Sequence, residues 1–178
     1  MPAPRDEAVF RQVYARYYDD MWRYATRRLP PADAAVLLSD IFLVVWRRLG
    51  EAPSEPRTVA WLYTIARHCL ANQRRSERRQ GRLRGRLSIL PSTGAAEDGA
   101  DNDLETPLSR LREEDQELLR LLYWEELTHG EVAVVLGISA NAVAIRSHRA
   151  RDLLRRMLDR KAEQPRGHEG SMQEMDER

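Results

Sequence analysis

Apolar residues recur at helical spacing along most of the chain, and no stretch alternates with the period of a strand. Val9, Phe10, Val13, Tyr14, Tyr17, Met21, Trp22 and Ala25 form the first stripe and predict a helix over 6–28, which Pro30-Pro31 ends. A second helix is predicted from about Asp33, a plausible cap, to Leu49, with Leu37, Leu38, Ile41, Val44 and Val45 turned inward. Residues 50–56 contain Gly50, Pro53 and Pro56, which forbid a continuous helix and predict a loop. A third helix begins near Pro56. It carries Val59, Trp61, Leu62, Ile65, Ala66, Cys69 and Leu70 before grading into a run of arginines. Three such helices can bury a compact bundle core.

Pattern is lost over 87–106, where Pro91, Gly94 and Gly99 stand among serine, threonine and acidic residues. That composition buries too little apolar area to offset ordering entropy and predicts a flexible linker. Thr106-Pro107 then predicts a helix start, by cap plus first-turn proline. Leu108, Leu111, Leu118, Leu119, Leu121 and Leu122 supply the apolar face of the one or two helices that follow. Thr128 and Glu131 have capping-box spacing, Val132, Val135 and Leu136 make a stripe, and Ala133 is small enough for a close helix crossing. Gly137 supplies a positive-φ stop, Ser139 caps the next helix, and Val143 points back at the first. This is the mechanical signature of a helix-turn-helix. Its second helix carries Arg146, His148, Arg149 and Arg151, which a plain core hairpin would not require, so DNA binding is expected.

The expected fold is therefore all-α: two small helical domains over 6–86 and 107–160, a flexible acidic linker over 87–106 and a disordered tail over 161–178. A chain of 178 residues with 42% hydrophobic content can hold one medium or two small domains. Cys69 is the only cysteine, which excludes a disulfide or a cysteine-built zinc site, and the four histidines are dispersed. No metal or cofactor is predicted. No apolar run approaches the roughly 20 residues that span a bilayer, and the N-terminus lacks a signal-peptide core, so a cytoplasmic protein with no membrane span is expected.

The net charge of +1 conceals a strong alternation. Residues 67–86 contain Arg67, Arg74, Arg75, Arg78, Arg79, Arg82, Arg84 and Arg86 against the single acid Glu77. Residues 97–105 contain Glu97, Asp98, Asp101, Asp103 and Glu105 with no base, and 146–161 is basic again. Two positive zones around a negative connector suggest two nucleic-acid contacts with something else between them.

At this level the chain resembles the extracytoplasmic-function (ECF) sigma factors of bacterial RNA polymerase, within the sigma-70 superfamily. Residues 14–29 resemble the family's opening helix, and Ser39-Asp-Ile-Phe-Leu-Val-Val-Trp-Arg-Arg-Leu49 is similar to its polymerase-binding helix. Ala60-Trp-Leu-Tyr-Thr-Ile-Ala-Arg67 looks like the start of its promoter-melting helix, and 127–151 like its second DNA-binding module. The resemblance implies a promoter-specificity factor rather than an enzyme. The first domain would bind the polymerase clamp through Asp40, Phe42, Trp46 and Arg47 and capture the minus-ten element as single strand. The second would read the minus-thirty-five element as duplex. Core RNA polymerase (clamp and flap regions) and promoter DNA are the implied partners, and many members have an anti-sigma factor as well. His68 stands where members often carry an asparagine facing the flipped minus-ten base, and Ser147 where a leucine or isoleucine usually packs inward.

Strand capture needs an apolar or aromatic pocket with polar groups at its rim and cations along the backbone. Trp61, Arg67, His68, Asn72, Arg74 and Arg75 supply these types, with Trp61 also on a core stripe and the 50–57 loop as the expected pocket wall. Duplex reading needs short side chains at the start of the groove helix and arginines on phosphates. Ala140, Asn141, Ala144, Ile145 and His148 face outward if Val143 faces in, while Arg146, Arg149 and Arg151 suit phosphate contacts. The competing readings are a stand-alone helix-turn-helix regulator, a regulator's antagonist, and a small metal-dependent nuclease built on Asp98, Asp101, Asp103 and Glu105. The last lacks a rigid shell to fix a metal.

Overall fold

The computed structural model describes residues 4–87 and 105–163, all of whose regular elements are helical. The expected linker over 87–106 and tail over 161–178 lie almost wholly outside the described residues.

Helix α1 (Pro4–Thr26) opens with Asp6 and Glu7 at its positive end and has Arg23 in its last turn, both favourable to the helix dipole. Tyr17, Met21, Tyr24 and Ala25 follow one face and are buried. Helix α2 (Pro31–Arg47) begins two residues before the predicted Asp33 cap. Pro30 is the N-cap, its carbonyl accepting from the Ala34 amide at 2.9 Å. The ring of Pro31 presets the first helical φ, so no capping side chain is needed, and Asp33 lies inside the first turn. The helix also stops at Arg47 rather than Leu49. A 3₁₀ turn (Leu49–Glu51) takes over, with the Arg48 guanidinium donating to Glu51 at 2.6 and 2.9 Å.

Helix α3 (Arg57–Leu87) is 31 residues long. Thr58 is buried at its start, its hydroxyl donating to the Pro53 carbonyl at 2.8 Å. Leu62, Ile65, Ala66 and Leu70 are buried; from Ala71 to Gln80 every side chain is exposed or half-buried, with Arg75, Arg78 and Arg79 exposed. Arginine is a good helix former, so the helix outlasts its own core contacts.

Helix α4 (Glu105–Ser109) starts one residue before the Thr106 cap that the sequence predicts. Helix α5 (Glu113–Tyr123) has Glu113, Glu114 and Asp115 in its first turn and buries Leu118, Leu119 and Leu121. Helices α6 (His129–Leu136) and α7 (Ala140–Glu163) form the helix-turn-helix and cross at 100°. Its local chemistry is as expected. Thr128 and Glu131 close a capping box, Gly137 adopts φ 68°, and the Ser139 hydroxyl oxygen accepts from the Ala142 amide at 3.1 Å. Val143 is fully buried, and Ser147 also faces in, its hydroxyl satisfied by the Ala144 carbonyl at 3.0 Å.

The two halves do not stand apart. Helix α6 packs along α3, and a continuous set of buried residues runs from Tyr17 and Leu37 through Leu62 to Leu118 and Val143. No single helix among the described residues is long and apolar enough to cross a membrane.

Candidate nucleic-acid interface

On α7, burial of Val143, Ser147 and Ala150 leaves Ala140, Asn141, Ile145, His148, Arg149 and Arg151 exposed, with Ala144 half-buried. Ile145 is 45% exposed, an apolar side chain held in solvent on a helix otherwise rich in cations. His148 Nδ1 lies 3.2 Å from Asp152, one turn on. Arg146 differs from the expectation of an outward contact. It turns back onto α5, pairing with Asp115 at 2.7 Å and Glu114 at 3.3 Å. The carboxylates that stabilise the start of α5 also attract the nearest guanidinium of α7.

On α3, Arg67, His68, Arg74 and Arg75 line one cleft of about 470 Å³, and Asn72 is exposed outside that lining. Trp61 is half-buried against the core, on a different part of the helix from the cleft, because it shares the stripe of Leu62 and Ile65. The loop does not wall this cleft either. Ala52, Pro53, Ser54 and Glu55 border a separate hollow against α1, with Glu55 accepting from the Tyr17 hydroxyl. Burial first, then that bond, pushes the Tyr17 phenol up to about 12.

The facing wall of the α3 cleft is acidic: Glu113, Glu114 and Glu117 of α5, with Arg120 beside them. Arg74 donates to Glu113 at 2.8 Å. Below the cleft lies an ion cluster that the sequence reading missed. Arg28, whose side chain is fully buried, grips both oxygens of Glu117 at 3.1 and 3.2 Å and donates to Glu125 at 2.8 Å. Its guanidinium carbon sits 3.7 Å from the centroid of the Tyr24 ring, and Tyr63 packs edge-on against Tyr24 at 5.6 Å. Burial disfavours the charge on Arg28, yet the attraction of Glu117 and Glu125 outweighs it and holds the pKa above the ordinary guanidinium value. Burial and the nearby Glu117 raise the Tyr24 phenol, and burial and Glu125 raise that of Tyr63. The cluster's partners are 89 and 97 residues apart, so no local pattern pointed to it.

A third surface lies between α1 and α2. Phe10, Phe42, Leu43 and Trp46 line a groove of about 610 Å³ edged by Glu7, Arg11 and Ser39. Trp46 is half-buried, edge-on to Phe10 at 5.0 Å, while Asp40 and Arg47 are exposed. Phe42 is 5% exposed, 4.6 Å from Tyr14. It forms the floor of the groove rather than a projecting contact, because the aromatic residues of α1 close over it.

Residues 13–80 match Sigma-70 region 2, and residues 102–154 match Sigma-70, region 4. The ECF RNA polymerase sigma factor SigK of Mycolicibacterium vanbaalenii is 30% identical over 164 residues, covering 86% of this chain and 82% of that protein. The structure of CnrH with the cytosolic domain of CnrY is similar at a TM-score of 0.61 and 26% identity, covering 85% of this chain and 88% of CnrH. The fold also matches sigma factor RpoE of Bartonella quintana, solved with the anti-sigma factor NepR, at a TM-score of 0.65 and 20% identity over 84% of this chain and 96% of that one. The chain belongs to the extracytoplasmic-function sigma factors of the sigma-70 family. It is a promoter-recognising subunit for bacterial RNA polymerase.

Proposed function

We propose that promoter recognition is divided between α7 and the cationic length of α3, with the α1–α2 groove holding core polymerase in the cytoplasm. In this reading 6–86 and 107–160 are the working domains. Asn141, Ala144, Ile145 and His148 meet base edges of the minus-thirty-five duplex, with Ala140 allowing close approach. Arg149 and Arg151 hold phosphates. Arg67, Arg74 and Arg75 follow the melted minus-ten strand, with His68 and Asn72 at base edges. Asp40, Trp46 and Arg47 dock on the clamp above the floor that Phe42 makes. The role is recognition rather than catalysis, and an anti-sigma factor competing for the same groove suits its apolar lining.

The observation that carries this reading is the outward row Asn141, Ile145, His148 and Arg149 on a helix whose opposite side is buried. Transcription in vitro with core polymerase on a genomic promoter library tests it. Specific start sites that vanish without the chain are expected. Full promoter discrimination by the chain alone would instead make it a stand-alone regulator.

A further inference from the structure

We infer that Asp152 is a positioning residue that sets which base His148 accepts in the minus-thirty-five duplex, and that this preference changes sense with pH. The inference rests on the assignment of His148 to a base edge.

Asp152 is out of place by charge. Between Arg146 and Arg156 it is the lone acid, beside Arg146, Arg149, Arg151, Arg155 and Arg156. A carboxylate near phosphates weakens binding by repulsion. Its pair with His148 adds little to folding, since the two side chains are 45% and 68% exposed. What it does govern is the imidazole. His148 Nδ1 lies 3.2 Å from Asp152 Oδ2, one helical turn on. An ionised carboxylate only accepts, and two bare lone pairs at that distance repel, so the ring proton belongs on Nδ1. Nε2 is then the nitrogen left to meet the groove.

That assignment has a chemical consequence. In the neutral ring Nε2 is an acceptor, which selects an exocyclic amine, adenine N6 or cytosine N4. In the protonated ring it is a donor, which selects guanine O6 or N7, or thymine O4. Without the carboxylate, the neutral ring could carry its proton on either nitrogen and would discriminate less.

The surroundings leave this pair to itself. Among the described residues, no charged group of α4, α5 or α6 forms an ion pair with His148. Glu114 and Asp115 of α5 pair with Arg146, and Glu131 of α6 caps its own helix. On α7 the charged neighbours are Arg149, Arg151 and Asp152.

The test uses the full chain assembled with core polymerase. The probes are duplexes carrying a minus-thirty-five element recovered from the promoter library, each base pair replaced in turn by the other three. Competition binding at about pH 6 and about pH 8 brackets the ordinary histidine range. Ratios between probes at one pH cancel any effect of pH on the polymerase itself. Expected is one base pair whose preference moves by about fivefold, from adenine or cytosine at the higher pH toward guanine or thymine at the lower. Asp152→Asn should flatten the preference at the higher pH, because an amide donates or accepts and so satisfies either tautomer. His148→Gln should abolish the pH response.

If His148→Gln leaves both the preference and its pH response intact, His148 reads no base and the assignment beneath the inference fails. If His148→Gln abolishes them while Asp152→Asn only raises affinity equally for all four pairs, Asp152 is a repelling charge and the positioning role is overturned. A parent chain whose preferences are the same at both pH values overturns it as well.

Discussion

Arg146 on α7 donates to Asp115 on α5 at both 2.7 and 3.1 Å, tying the helix proposed to read duplex DNA to the helix beneath it. A side chain that sequence places among the DNA contacts thereby acts inside its own domain. Both groups retain partial exposure, 30% for Arg146 and 25% for Asp115, so the pair contributes about 1 kcal/mol. Arg146→Ala should lower the melting temperature by roughly 2–4 °C and leave the salt slope of duplex binding unchanged. Calorimetry and salt titration read the two effects separately. A reduced slope would place Arg146 on a phosphate.

Arg149→Ala should do the reverse. The side chain is exposed, so stability should hold while duplex affinity weakens across sequences and the salt slope falls by about one unit. Altered preference at one base pair with an intact slope would mean that Arg149 reads a base.

The turn between α6 and α7 is sensitive at both ends. Thr128→Ala removes the acceptor of the Glu131 amide bond at 3.2 Å and should cost about 1 kcal/mol. Gly137→Ala meets no neighbouring atom within 4 Å, but its φ of 68° should cost about 1–2 kcal/mol. Denaturant titration would show both, and a neutral Gly137→Ala would contradict the backbone argument.

Cys69 should resist alkylation near neutral pH. Burial, and secondarily the charge of Asp40, pushes its thiol up from 9.0 to about 11. The raised folded pKa means that the neutral thiol's contribution to stability is intact below pH 9.0 and is lost as pH climbs toward 11. Maleimide labelling of the native chain should stay slow at pH 8, and rapid labelling there would refute the shift.

Trp46→Ala should weaken binding to core polymerase by about tenfold or more, as loss of a large aromatic anchor does at interface centres. Helical content should persist, since Phe42 and Phe10 keep the floor of the groove. Unchanged affinity in a pull-down titration would move the docking site elsewhere.

The helix-turn-helix was legible because each of its parts is local. Thr128 caps a residue three positions on, Gly137 needs only its own φ, and Val143 follows from helical period. The start of α2 was misplaced because Pro30 and Pro31 do by ring geometry what Asp33 would do by hydrogen bonding. Arg146 and Trp61 were harder, since exposure along a helix depends on what lies against it.

Periodicity, capping chemistry and charge distribution are properties of neighbouring residues, and from them the chain alone determined its helices, its helix-turn-helix and its two basic zones. The meeting of Arg28 with Glu117 and Glu125 was decided only by tertiary structure. Nothing within a helical turn distinguishes those three from other surface charges. They become a buried cluster because α6 lies along α3 and brings α5 over the arginines, and that docking is a sum of many apolar contacts distant in sequence.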